Sequence, residues 1–205
     1  KTLELLKKNG IDVKWVQVGN ETTHGFLWPM GRFEENPENY AALTKAGVKA
    51  VREVYPDAEV IIHLDNGFDQ ALYDRVFDSL KTNGVEWDTI GMSVYPYWAM
   101  EAGLEKSDIM TLVDTIANIR HLKKKYGTDV MIVETGVDGR NPESGKEFIS
   151  ALIKASKDFT DGACTGVFYW APEWNAEDDY RLGAFSRNMP TIIMDAFREA
   201  ASSAR

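Results

Sequence analysis

The chain has 205 residues, enough for one domain with a sizeable core or for a large part of a bigger one. Its 23 basic against 32 acidic side chains leave a formal charge of −9, which argues against nucleic acid and anionic membrane surfaces as partners and leaves a neutral polymer indifferent. The single cysteine, Cys164, excludes an internal disulfide and a cysteine-cluster metal site, and no run approaches the roughly 18 apolar residues of a membrane span, so no membrane insertion is expected.

In chain order, residues 1–9 set Leu3, Leu5 and Leu6 among lysines and stop at Gly10, the pattern of a helix end. A secretion signal, if the protein has one, is expected upstream of this segment. Residues 14–19 read as a first, buried strand whose apolar run ends abruptly in Gly19-Asn20-Glu21, presenting a carboxylate. A loop rich in glycine and aromatics follows, with His24, Phe26 and Trp28. Tyr40, Leu43, Gly47, Val51 and Val54 then mark a helix between Pro37 and Pro56, and residues 59–64 a second strand stopping at Asp65-Asn66-Gly67.

The alternation repeats. Leu72, Val76, Phe77 and Leu80 mark a helix closed by Asn83-Gly84, and residues 87–94 a third strand running out into Tyr95-Pro96-Tyr97-Trp98. Ser107 is the expected N-cap of a helix carrying Ile109, Leu112, Val113, Ile116, Ile119 and Leu122, with lysines in its last turn. Residues 129–133 form a fourth strand ending at Glu134, Phe148 to Phe159 spans a helix, and residues 165–170 form a fifth strand ending at Trp170. A last helix is expected from about Pro190 through Ile193 and Phe197. Cys164, inside an apolar strand, reads as a buried and inert thiol.

Strands that are nearly continuous apolar runs, separated by helices, imply parallel pairing with both faces covered. Asn20-Glu21, Asp65-Asn66, Tyr95, Glu134 and Trp170 all stand at carboxyl ends of strands, as they would at the mouth of a (β/α)8 barrel, and no strand leads into a glycine-rich dinucleotide loop. A barrel needs eight strands and about 250 residues. The expected architecture is therefore an α/β, (β/α)8 barrel of which residues 1–205 supply about the last five βα units of one catalytic domain, the N-terminal units being absent. Two glutamates ending two strands are the pair that glycosidic bond cleavage requires.

The segments Trp15-Val16-Gln17-Val18-Gly19-Asn20-Glu21, Gly25-Phe26-Leu27-Trp28-Pro29, Ile62-His63-Leu64-Asp65-Asn66-Gly67, Ile90-Gly91-Met92-Ser93-Val94-Tyr95-Pro96-Tyr97-Trp98, Val133-Glu134-Thr135-Gly136 and Gly166-Val167-Phe168-Tyr169-Trp170-Ala171-Pro172-Glu173-Trp174 occur in order along the whole chain. Together they resemble glycoside hydrolase family 53, the arabinogalactan endo-β-1,4-galactanases, from barrel strand 4 to strand 8. The resemblance implies a secreted, periplasmic or cell-surface retaining enzyme acting on β-1,4-galactan or galacto-oligosaccharides. Glu21 would be its acid/base and Glu134 its nucleophile, with carboxyl groups about 5 to 5.5 Å apart. It further implies that Asn20 donates to the sugar 2-hydroxyl, Tyr95 holds the nucleophile and Trp170 floors the reacting subsite. Trp28, Trp98 and Trp174 would line neighbouring subsites as loop aromatics, and His63 and Asp65 would belong to the pocket wall or its hydrogen bonds.

Each residue also has a plainer reading. The two glutamates could be surface carboxylates, Asn20 a turn residue, His63 a hydrogen-bonded core histidine, and the aromatics packing or loop anchors. Glu173, Glu177, Asp178 and Asp179 suggest a cation site, with a solvated loop as the alternative. The loop after Glu134 is short, so the calcium site of some bacterial family members is not carried over and no cofactor is expected. The competing functions are a non-catalytic galactan-binding or inert barrel fragment, and a related enzyme acting on mannan or cellulose.

Overall fold

A computed structural model describes residues 1–101, 103–104, 106–178 and 180–202; Asp179 of the acidic group lies outside the described residues. Contacts divide the chain into two compact units, Lys1–Asp65 with Gln70–Met92 and Asn66–Asp69 with Ser93–Arg205.

The first unit holds α1 (Thr2–Lys8), β1 (Trp15–Gln17), α2 (Pro37–Val54), β2 (Glu59–Leu64), α3 (Gln70–Thr82) and the first four residues of β3 (Thr89–Val94). Its strands pair in parallel in chain order, Val16 beside Val60 and Ile62 beside Ile90. α2 begins with Pro37 at its first turn, where a missing N–H removes nothing, and carries Glu38 near its N-terminus and Arg52 in its last turn, as the helix dipole favours. Tyr40, Ile62, Leu64, Tyr73, Phe77, Leu80 and Ile90 are excluded from solvent, each contributing about 1.5–3 kcal/mol by burial. Buried hydroxyls find partners: Tyr73 donates to Leu64 O at 2.9 Å, and Tyr40 shares a hydrogen bond with Thr22 Oγ1 at 2.8 Å. Asp88 accepts from Arg52 Nη2 at 2.5 Å and from the Val60 N–H at 2.6 Å, pinning the start of β2 to the end of α2.

The second unit contains the end of β3, then α4 (Pro96–Glu101), α5 (Asp108–Tyr126), β4 (Asp129–Thr135), α6 (Pro142–Asp158), β5 (Cys164–Val167), a hairpin of β6 (Phe185–Ser186) and β7 (Met189–Pro190), and α7 (Asp195–Ser202). Ser107 Oγ accepts from the Met110 N–H at 3.3 Å, and Gly127 closes α5 in the left-handed conformation (φ 80°). β4 and β5 pair in parallel, Val130 beside Cys164 and Ile132 beside Val167, with a register shift between those pairs that leaves one extra residue on β5. α6 packs close to the segment after β4, because Gly145 has no side chain: a Cβ there would stand 2.8 Å from Val137 Cγ2.

Five expectations change. β1 is three residues long and not buried: Trp15 is 40% exposed, because among the described residues the strand pairs with β2 alone. β5 stops at Val167, at the bulge, so Trp170 lies beyond the strand; Phe168 is 48% exposed. Tyr97 and Trp98 sit on the short helix α4 and not in a loop. The last helix begins at Asp195, because Met189–Pro190 completes a hairpin and Ile192–Met194 forms a 3-10 turn. Cys164 is partly rather than fully buried; burial still pushes its thiol pKa upward. Among the described residues, no helix is long and apolar enough to cross a membrane.

Candidate active site

In the first unit, the chain leaves β1 through a tight turn. Gly19 has φ 84°, and a Cβ there would meet Thr22 Cγ2 at 2.4 Å, so only glycine fits. Two residues on, Glu21 itself adopts φ 45° and ψ 53°, a left-handed conformation that strains a non-glycine residue by about 1 kcal/mol or more. What holds it is the backbone. The Glu21 N–H donates to His63 Nδ1 at 3.3 Å, and Thr22 Oγ1 donates to His63 O at 3.3 Å. His63 is fully excluded from solvent on β2, and burial lowers its pKa to about 4, so at neutral pH the ring is uncharged and Nδ1 accepts. Asp65 and Thr23 exchange two hydrogen bonds, Thr23 Oγ1 to Asp65 Oδ1 at 2.6 Å and Asp65 N–H to Thr23 Oγ1 at 3.2 Å. Asn20 is exposed, and its Oδ1 accepts from Gln17 Nε2 at 3.2 Å, which leaves the amide nitrogen as the donor end. Trp28 is exposed in its loop, its indole N–H donating to His24 O at 3.0 Å and one ring face lying 4.7 Å from the Arg32 guanidinium.

In the second unit, Glu134 lies on β4 and is partly buried. Its carboxylate is held by a side chain: Tyr95 Oη donates to Glu134 Oε2 at 3.0 Å. The next residue, Thr135, is fully buried and donates from Oγ1 to Val94 O at 2.7 Å, while its own carbonyl accepts from the Trp170 N–H at 2.9 Å. Gly136 follows because a Cβ there would sit 3.0 Å from Tyr95 Cε1 and 3.3 Å from Leu182 Cβ. Trp170 and Trp174 are both exposed and both meet Tyr180 edge to face, at 5.2 and 6.5 Å between ring centroids. Trp98 packs edge to face on Tyr97 at 4.8 Å and is exposed on its other side. Among the described residues, no group of three or more His, Cys, Asp and Glu side chains is arranged to hold a metal ion. Glu177 of the acidic loop instead accepts from Ser186 Oγ at 2.7 Å.

The profile of Glycosyl hydrolase family 53 matches residues 1–198. The chain belongs to this family. A probable arabinogalactan endo-β-1,4-galactanase A of Neosartorya fischeri is 31% identical over 81% of this chain and 50% of its own length. An uncharacterized protein from the bgaB 5′ region of Niallia circulans is 30% identical over 88% of this chain and 55% of its own. The chain thus spans about half the length of these relatives. Among solved structures, the GH53 catalytic domain of Ignisphaera aggregans superposes with a TM-score of 0.81 at 25% identity, over 97% of this chain and 62% of that one. A fungal β-1,4-galactanase superposes with a TM-score of 0.80 at 23% identity, over 97% and 65%. The fold class is therefore the expected one, a (β/α)8 barrel of which this family 53 chain supplies part.

Within its own unit, each glutamate of this family 53 chain stands among residues its motif singles out: Glu21 with Asn20 and His63, Glu134 with Tyr95. Sequence reasoning did not single out Thr23, Thr135, Tyr97, Asp138 or Arg181. Of these, three carried a signal: Thr135 and Tyr97 stand inside motifs, and Thr23 lies two residues beyond one, where a β-branched hydroxyl can close a turn on a neighbouring strand.

Proposed function

We propose that this chain is the C-terminal part of the catalytic barrel of a retaining endo-glycosidase that hydrolyses β-1,4-galactan, the pectic arabinogalactan polymer, outside the cytoplasm. Glu134 is the nucleophile and Glu21 the acid/base. Glu134 attacks the anomeric carbon as the glycosidic C–O bond breaks, and Glu21 gives its proton to the leaving oxygen; a covalent glycosyl ester on Glu134 results. Glu21, now a carboxylate, takes a proton from water, the hydroxide attacks the anomeric carbon, and the Glu134 ester bond breaks, restoring both groups.

The observation that carries the division of roles is the difference in how the two carboxyls are held. A fixed hydroxyl donating to Glu134 favours its ionised form, which a nucleophile needs. Glu21 is positioned through its backbone N–H, which leaves the state of its carboxyl to the substrate, as an acid that becomes a base requires. Asn20 supplies an amide donor beside Glu21 for the sugar 2-hydroxyl, where hydrogen bonds strengthen as positive charge develops. His63 and Asp65 brace the turn that carries Glu21, and Trp28, Trp98, Trp170 and Trp174 offer exposed rings to a neutral polysaccharide.

The test uses the full-length protein and a panel of galactan, mannan and cellulose. Release of galacto-oligosaccharides from galactan alone is expected, with its loss in both Glu21→Gln and Glu134→Gln; full activity in either variant, or turnover of mannan or cellulose instead, overturns the assignment. A second reading, galactan binding without turnover, is favoured by the exposed rings of Trp15 in β1 and Phe168 just after β5. Calorimetry with galactan beside the activity assay separates the two.

A further inference from the structure

Arg181 lies in the segment after β5, remote in sequence from both Tyr95 and Glu134, yet it is the point where the chain segments carrying them meet. Its Nε and Nη2 donate to Asp138 Oδ2 at 3.0 and 2.6 Å, and Asp138 stands four residues after Glu134. Its Nη1 donates to Tyr97 Oη at 3.2 Å, its guanidinium lies 4.5 Å from the Tyr97 ring centroid, and Tyr97 stands two residues after Tyr95. The backbone repeats the tie. Arg181 O accepts from the Gly139 N–H at 2.9 Å, and Leu182 O accepts from Tyr169 Oη at 2.8 Å, the same hydroxyl that accepts from the Val137 N–H at 3.2 Å.

Leu182 and the Tyr95 ring both close on Gly136, where an added Cβ would stand 3.3 Å from Leu182 Cβ and 3.0 Å from Tyr95 Cε1, so residues 181–182 and Tyr95 pack against the same point of the chain that bears Glu134. Packing alone does not hold these groups. Tyr97, Asp138 and Arg181 line a cavity of about 290 Å³, together with Met100, Asn141 and Phe148, so the first two have room to move once the guanidinium is gone. A planar fork fits this place where an ammonium does not, because it reaches a carboxylate with two N–H groups and a phenol with a third while stacking on the ring.

We propose that Arg181 is a positioning residue for the Tyr95–Glu134 pair: it ties the segment after β3 to the segment after β4, and so fixes the hydroxyl that keeps the Glu134 carboxylate ionised and aimed. This rests on the nucleophile reading above. Loss of the tie lets Tyr95 and Glu134 drift by a fraction of an ångström to an ångström, a displacement worth about ten- to hundredfold in rate.

In the full-length protein, Arg181→Ala is expected to lower kcat on galactan by about ten- to hundredfold while KM moves by less than about threefold, since the pair acts on the reacting carbon and not on the bulk of the substrate. The acidic limb of the pH–kcat/KM profile shifts to higher pH, because the donor favouring the carboxylate form is no longer held in place. Arg181→Lys keeps the charge but not the fork, and recovers only part of the loss. Tyr97→Phe keeps the stacked ring, loses one hydrogen bond, and shows a milder form of both effects; it serves as the second variant if Arg181→Ala fails to fold. A melting temperature within about 3 °C of the parent separates positioning from general destabilisation. Wild-type kcat and pH profile in Arg181→Ala, or full recovery by Arg181→Lys, overturns the proposal. Should the parent protein hydrolyse no galactan, the nucleophile reading fails on its own, and a crystal structure of Arg181→Ala still decides the positioning claim. Tyr95 Oη beyond about 3.5 Å from Glu134 Oε2 supports it, and an unchanged hydrogen bond refutes it.

Discussion

The two units hold their strand-end glutamates in opposite ways. In the first, the main chain does the work: Glu21 sits in a left-handed turn forced by Gly19, and its N–H is tied to a buried, uncharged histidine. In the second, Glu134 lies on an ordinary strand and its carboxylate is tied by the Tyr95 hydroxyl. Backbone anchoring fixes where a side chain starts and leaves its charge state adjustable; a donor on the carboxylate fixes the charge as well. Under the proposed assignment, two chemically identical side chains take different duties through the atoms by which the fold grips them.

The sharpest way to break that contrast is Tyr95→Phe, which deletes one hydroxyl and no packing. It removes the hydroxyl that grips the Glu134 carboxylate, and is expected to lower kcat by about 10²–10³-fold, as removal of a preorganised donor does elsewhere, with the acidic limb of the pH profile moving upward. Steady-state kinetics on galactan with the full-length protein reads it. A loss below threefold would mean that Glu134 does not depend on the hydroxyl, and the division of roles would lose its support.

Acid should separate the units next. His63 titrates at about 4 in the fold against an ordinary 6.5, so its folded pKa is depressed and the unfolded chain binds the extra proton first. Stability is then complete above about pH 6.5, falls as pH drops through the window from 6.5 to 4, and loses up to about 3 kcal/mol by its lower end. In the second unit, burial raises the Asp138 pKa, but hydrogen bonds from Arg181 and Arg140 outweigh it and hold it below the ordinary 3.8. Its contribution is present above 3.8 and is lost only as pH falls below that. Hydrogen exchange followed from pH 7 to 3 should therefore show α2, β2 and the 22–24 turn loosening before the Arg181–Asp138 segment. His63→Gln should flatten the upper window alone. Simultaneous loosening of both regions in the parent would contradict the order.

How much of this was readable in the residues follows from how local each cause is. β2 matches its expected bounds because an uninterrupted apolar run needs no other information, and α5 announces its start through Ser107 and its last turn through its lysines. β1 misleads because burial of a strand depends on its neighbours on both sides, which its own sequence does not encode. α4 is too short, at six residues, for a helical period to show, and Pro96 after Tyr95 looks as much like a strand exit as like a first helical residue. The β6–β7 hairpin turns through Arg187 and Asn188 at φ 50° and 61° without the glycine that usually marks such a turn. Glu21, Glu134 and Tyr95 stand out twice, as polar residues where apolar strand runs end and as members of motifs in register across the whole chain. Arg181 and Asp138 belong to no such motif; a side-chain pair 43 residues apart leaves no periodic trace.

Threonine 135 tests the second unit at lower amplitude. Thr135→Val keeps the shape and strips the hydrogen bond, leaving the buried Val94 carbonyl short of a donor at a cost of about 1–3 kcal/mol. The matching change in the first unit, Thr23→Val, strips the hydroxyl that Asp65 uses twice, but Asp65 is only partly buried, and water replaces part of what is lost. Denaturant melts should rank Thr135→Val as the more damaging of the two, with unchanged m-values; the reverse order would mean that the Thr23–Asp65 exchange is the stiffer brace.

The smallest effects belong to the exposed indoles, and here the units should behave alike in stability and differ in binding. Trp28 has the Arg32 guanidinium over one face, so a sugar can stack on the other alone, whereas Trp170 touches Tyr180 edge to face. Trp28→Ala and Trp170→Ala should each shift the melting temperature only slightly, since both rings are exposed, and raise KM on galactan by an amount corresponding to about 1 kcal/mol, roughly fivefold. Trp170 lies next to the strand end that carries Glu134, joined through its N–H to Thr135 O, so its loss should lower kcat as well, while loss of Trp28 should act on KM alone. A kcat effect confined to Trp28→Ala would assign the reacting sugar to the first unit's aromatic and require the roles of the two rings to be exchanged.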